Sequence, residues 1–196
     1  LKYNILEAQK LETKVLLTFG GAFSNHIAAV AAAGATYGFE TIGIIRGEEL
    51  VDKIAENSTL TFAQNRGMKF EFWNRLEYRN KEDEKLIAIL REKYDDFYLI
   101  PEGGTNALAV KGCEEILTDE DAKFDYICCA VGTGGTISGL INSSFSHQQV
   151  LGFPAVRSEN LGKIIEDVVT NKRWNLIDEY HFGGYAKINS ELVDFI

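Results

Sequence analysis

Short apolar runs alternate along this chain with longer stretches in which apolar residues recur every three or four positions. Runs at 14–19, 41–46, 68–73, 97–101, 125–131, 150–154 and 174–180 are rich in Val, Ile, Phe and Tyr, side chains that suit a pleated backbone, and they predict seven strands. The stretches between them predict helices. The clearest spans 24–37: Ser24 and Asn25 suit a cap at its start, and Gly38 suits the left-handed residue just past its end. A second helix is expected to be capped by Ser58 and stopped by Gly67. In 81–93, Leu86, Ile87, Ile89 and Leu90 stand among charges, the pattern of an amphipathic helix lying on a sheet. Strand, helix and strand joined by short turns imply parallel strands and right-handed crossovers. The expected fold class is α/β, with open, mostly parallel twisted sheets and helices on both faces. A domain boundary is expected within 102–124, where a Gly-Gly turn, a helix and an acidic patch separate four strands from three.

Composition narrows the function classes. The chain has 196 residues, 45% of them hydrophobic, enough for a substantial core, and a formal net charge of −9 that argues against nucleic acid as a partner. Cys113, Cys128 and Cys129 form neither an even set nor a Cys-x-x-Cys pair, and the adjacent two sit in an apolar run; they are expected to be packing thiols in a reducing cytoplasm. No apolar stretch reaches membrane-spanning length and no signal pattern opens the chain, so no membrane partner is expected and localisation is expected to be cytoplasmic. His26, His147 and His181 are isolated from one another and from the cysteines at metal-ligand spacing, so no metal is expected.

The candidate chemistry lies in two glycine-rich turns, each following a strand and opening a helix, where ligands of open α/β sheets bind. In the second, Gly132, Thr133, Gly134, Gly135 and Thr136 form a cradle for a phosphate: glycine backbone permits close approach, helix amides face the anion, and two hydroxyls add donors. It lacks the Gly-Lys-Ser/Thr ending of a nucleoside-triphosphate loop, and Ile137 stands where a dinucleotide fingerprint has its third glycine. In the first, Gly20 and Gly21 precede Ser24, Asn25 and His26, a hydroxyl, an amide and an imidazole at a positive helix end, suited to a carboxylate. Tight structural turns with a serine cap are the plain alternative for both.

Four segments in order, TFGGAFSNHIAAVAAAG, IPEGGTNALAVKGC, AVGTGGTISGL and HFGGYAKIN, together resemble the pyridoxal-phosphate (PLP) family of 1-aminocyclopropane-1-carboxylate deaminase and D-cysteine desulfhydrase. The resemblance spans nearly the whole chain. It implies the tryptophan-synthase-β-like fold, with 1–105 a smaller α/β domain on the substrate side and 106–196 part of a larger domain bearing the phosphate loop. It implies that Gly132, Thr133, Gly134, Gly135 and Thr136 hold the PLP phosphate and that Asn25 bonds the 3′-oxygen of the pyridine ring. Ser24, Asn25 and His26 are implied to bind the substrate, Ser24 contacting its carboxylate and His26 helping to fix the same group; Ser24 and Tyr185 are the implied catalytic residues, Tyr185 facing the substrate as a phenol that donates or accepts a proton. Gly103 to Asn106 are implied to line the substrate side. A small amino acid is the implied substrate, a homodimer the implied assembly, and a helix start at each glycine turn is expected to face one common cleft.

The chain departs from that pattern at its ends. The lysine that links the cofactor covalently is expected just before Leu1, and a further segment of relatives is expected after Ile196, so the chain reads as truncated at both ends. Lys111 and Lys187 are expected to be solvated rather than substitutes. The expected activity is therefore deamination of the cyclopropane amino acid to 2-oxobutanoate and ammonia, or desulfhydration of D-cysteine, in the full-length form. The alternative is a non-catalytic anion-binding α/β module that has lost the lysine.

Overall fold

The computed structural model describes residues 1–155, 160–182 and 188–196. The elements in chain order are α1 (Lys2–Lys10), β1 (Val15–Gly20), α2 (Asn25–Tyr37), β2 (Glu40–Arg46), α3 (Ser58–Asn65), β3 (Lys69–Trp73), α4 (Arg75–Arg79), α5 (Glu84–Tyr94), β4 (Tyr98–Ile100), α6 (Ala107–Cys113), β5 (Tyr126–Val131), α7 (Gly135–Ser143), β6 (Gln149–Pro154), α8 (Leu161–Glu166), β7 (Trp174–Leu176) and α9 (Ser190–Phe195), with 3-10 turns between several of them. They divide into two units, Leu1–Gly104 and Thr105–Ile196.

The first unit is built on a four-stranded, all-parallel sheet in the order β3-β2-β1-β4. Side chains alternate along central β1. Leu16 joins Ile27, Val30, Ala31, Ile45, Leu60 and Ile100 on one face, while Leu17 and Phe19 join Ile42, Ile44, Trp73 and Leu90 on the other. Both faces are therefore buried, as parallel sheets require. β4 stops at Ile100 because Pro101 has no amide to continue a ladder. Gly38 takes the left-handed conformation at the end of α2 (φ 79°), its N–H donating to Gly34 O.

Four details differ from the sequence expectations. α3 is capped by Asn57, whose Oδ1 accepts from Leu60 N–H at 2.9 Å, and Ser58 is its first residue; the longer amide reaches the open turn from one position earlier. α5 begins only at Glu84, after Asp83 caps it, and its Ile89 is exposed because only Leu90 of that pair faces the sheet. β7 is three residues long, and Asp178–Tyr180 turn as a 3-10 helix. α1, with Ile5 and Ala8 buried one turn apart, is not among the elements that the apolar pattern predicts.

The second unit carries a three-stranded parallel sheet, β5-β6-β7. A buried cluster packs Val131, Val150, Ile137, Ile141, Leu161 and Ile165 between one sheet face and α7 and α8. The other face of β5 is bare: Tyr126 is 64% exposed, and Cys128 and Ala130 are exposed beside it. The adjacent cysteines are thus not both core residues. β5 is an edge strand with one covered face, so Cys129 turns inward and Cys128 outward. Buried Gln148 ties the loops around β5 together, its amide donating to the carbonyls of Asp121 and Phe124 and its Oε1 accepting from Phe145 N–H.

Candidate functional site

In the first unit, β1 delivers its last residues to the start of α2. Gly20 ends the strand because a Cβ there would lie 2.4 Å from Ile27 Cγ1, so only glycine lets the helix start so close to the strand. The chain turns through Gly21, and Ser24 adopts an extended cap conformation with Oγ accepting from Ile27 N–H at 3.4 Å. That long bond is a weak cap, and the Ser24 O–H remains able to donate. Asn25 is exposed in the first turn of α2, and His26 follows, partly buried. The three expected residues therefore stand together at one helix start, where the dipole favours an anion.

His26 is not a cation at neutral pH. Burial is the main cause, with the Glu102 carboxylate opposing it, and its pKa is lowered to about 4. Its Nε2 lies 2.8 Å from Thr18 Oγ1 on the strand beneath. Beyond β4, Glu102–Gly104 form a 3-10 turn in which Gly103 and Gly104 have φ of 67° and 71°. Glu102 accepts the Tyr78 O–H at 2.8 Å and pairs with Lys81 at 3.1 Å, a half-buried cluster that anchors this turn at the carboxyl edge of the sheet. Burial, followed by the Glu102 charge, pushes the Tyr78 phenol up and keeps it protonated. A hollow lies at the opposite edge of the sheet, lined by Thr13, Lys14, Glu40 and Lys69, but Glu40 and Lys69 neutralise each other there.

In the second unit, β5 runs into Gly132, Thr133, Gly134, Gly135 and Thr136. Gly134 is left-handed (φ 93°), and α7 opens with no side-chain cap on its first amides. Gly132, Thr133 and Thr136 are exposed. Thr133 Oγ1 lies 2.5 Å from Thr105 Oγ1, and Thr105 also fills the space where Gly135 would carry a Cβ, 2.9 Å away. Uncapped amides, a backbone bare of Cβ atoms and clustered hydroxyls fit a phosphate monoester, the acidic tail of PLP. Thr105, expected only as part of the 103–106 loop lining the substrate side, is thus a member of this group.

Tyr185 and Lys187 lie outside the described residues. Lys111 is exposed on α6. His147 bonds Ala122 O and stacks on Phe145. Among the described residues no group of three or more His, Cys, Asp or Glu gathers to hold a metal, and no helix is long and apolar enough to cross a membrane.

No protein-family model matches the chain. Individual proteins do. A Thermotoga maritima protein, provisionally named 1-aminocyclopropane-1-carboxylate deaminase, is 29% identical across all of this chain and 69% of its own length. The Arabidopsis thaliana bifunctional D-cysteine desulfhydrase/1-aminocyclopropane-1-carboxylate deaminase is 29% identical over 71% of this chain and 39% of its own length. The crystal structure of an ACC deaminase homologue superposes with a TM-score of 0.80 and 26% identity, over 99% of this chain and 64% of that one. The chain thus spans about two thirds of the length of the relatives it matches throughout. With two parallel α/β sheets, the ordered motifs and these likenesses in agreement, the chain is similar over its whole length to the 1-aminocyclopropane-1-carboxylate deaminase and D-cysteine desulfhydrase family and shares the fold of the ACC deaminase homologue.

Proposed function

We propose that this chain supplies the phosphate-holding and carboxylate-holding parts of a PLP-dependent enzyme acting on a small amino acid, as a 1-aminocyclopropane-1-carboxylate deaminase or a D-cysteine desulfhydrase. The observation that carries the reading is the start of α7, where uncapped amides follow a left-handed glycine and exposed threonine hydroxyls. Bound PLP supplies an electron sink for the negative charge that builds on the substrate carbon as a bond is broken.

The chain's own residues hold and orient. The amides at the start of α7, with the Thr133 and Thr136 hydroxyls, take the phosphate. Asn25 donates to the ring oxygen, and the Ser24 hydroxyl donates to the substrate carboxylate at the positive end of α2, fixing which bond of the amino acid is aligned for cleavage. Tyr185 stands as the phenol that moves a proton at the substrate. Kinship supports a homodimer as the assembly, which light scattering checks.

The test is a titration of the purified protein with PLP and with inorganic phosphate, followed by thermal unfolding. A ligand bound only by the folded state raises the melting temperature with its concentration. PLP is expected to raise it, phosphate less so, and Gly134→Ala is expected to abolish both effects. No shift at millimolar PLP overturns the reading.

A further inference from the structure

A threonine in the middle of an otherwise apolar central strand calls for an explanation, because a buried hydroxyl without partners is costly. Thr18 is fully buried in β1, on the face that meets α2. Its Oγ1 makes two contacts of 2.8 Å, one to Ile100 O and one to His26 Nε2. A carbonyl oxygen only accepts, so the one Thr18 proton goes to Ile100, and the hydroxyl oxygen must accept from His26. Nε2 therefore carries the imidazole proton, and Nδ1 keeps a lone pair.

We propose that Thr18 is a positioning residue that locks His26 in its Nε2–H tautomer, so that His26 presents a hydrogen-bond acceptor at the start of α2. The surroundings agree with this. The Nδ1 and Cε1 edge faces Gly104, where a Cβ would stand 3.1 and 3.0 Å from those atoms; the left-handed glycine turn keeps a side chain off that edge. The side-chain charge that acts on the ring is Glu102, on the turn after β4. Glu102 is itself engaged by Tyr78 and Lys81.

The consequence is a division of labour at one helix start. A lone pair repels a carboxylate, so the carboxylate finds its donor in Ser24 and the ring oxygen finds its donor in Asn25, while Nδ1 receives an N–H or O–H of the ligand. This assignment of ligand groups rests on the proposed function, but the tautomer does not, and the two fail separately.

Nitrogen-15 NMR of the histidine ring tests the proposal without any turnover. His26 is expected to give the neutral Nε2–H signature from pH 8 down to pH 5. Thr18→Val, close in shape but without the oxygen, is expected to lose that single tautomer for a mixture, and Thr18→Ser is expected to restore it. A merely structural role for Thr18 would leave the tautomer in Thr18→Val unchanged, and that result overturns the proposal. So does an Nδ1–H or imidazolium signature in the unmodified protein, which decides the matter even if the valine variant does not fold.

Discussion

The two units solve the same local problem differently. Each has a glycine-rich turn that leaves a strand and opens a helix. At α2 a serine side chain caps the first turn, the neighbouring amide is exposed and the partly buried imidazole bonds the strand beneath, so side chains form the working surface. At α7 nothing caps the first turn, and the backbone itself is the working surface. The sheets differ in the same sense. The first is buried on both faces, and the second leaves one face of β5 bare. Two glycines before a helix are thus no single device; the residues directly after the glycines decide whether side chains or amides meet the ligand.

The sharpest way to break the comparison is to crowd the first turn. Gly20→Val is expected to destabilise the first unit by about 3 kcal/mol, the upper part of the range for overpacking, because its Cβ alone would meet Ile27 Cγ1 at 2.4 Å. Trp73 lies in the first unit and Trp174 in the second, so urea unfolding of single-tryptophan variants reads each separately. Equal loss by both probes would show that the units do not differ in this respect. Next comes Gly134→Ala. Its strained φ and a contact of 3.2 Å with Ile165 are expected to cost about 1–2 kcal/mol, read at Trp174, together with the phosphate-dependent thermal shift.

A pH series sharpens the contrast further. The folded pKa of His26 lies below its ordinary value of 6.5, so the unfolded chain binds that proton more readily. Its contribution to stability is full above about pH 6.5 and is lost as pH falls towards about 4. The urea midpoint at Trp73 is expected to drop over that window, and His26→Gln is expected to flatten the drop. A midpoint that rises on acidification would contradict the neutral imidazole. The smallest effect is chemical: Cys128, exposed on the bare face, is expected to react with maleimide faster than Cys129, whose thiol is pushed up by burial and then by Cys113. Mass spectrometry of tryptic peptides after brief labelling reads the order.

Much of this was legible in the sequence because local rules and tertiary demands agreed. Apart from the short β7, the β-branched and aromatic runs became strands within a residue or two, and Ser24 and Gly38 bracket α2 as their chemistry requires. Where they disagreed, the sequence misled. Cys128 and Cys129 read alike in an apolar run, but burial depends on what covers each face of an edge strand. Ser58 is as good a cap in isolation as Asn57, and only the path of the chain selects the amide. In the site, Ser24, Asn25 and His26 were visible as adjacent residues, whereas Thr18 was not, since its partners come from a helix eight positions on and a strand 82 positions on. The one available signal was a lone hydroxyl among the apolar residues that precede the strand's glycine.

That long reach matters on the ribosome. β1, α2 and β2 are neighbours in the chain and can associate early, but the carbonyl that receives the Thr18 proton belongs to Ile100, synthesised 82 residues later. At ordinary elongation rates this is a delay of roughly 4–16 s, during which the nascent segment has its histidine but not the anchor that orients it. The ligand-facing corner of the first unit is therefore finished last, when translation has passed the second pair of glycines.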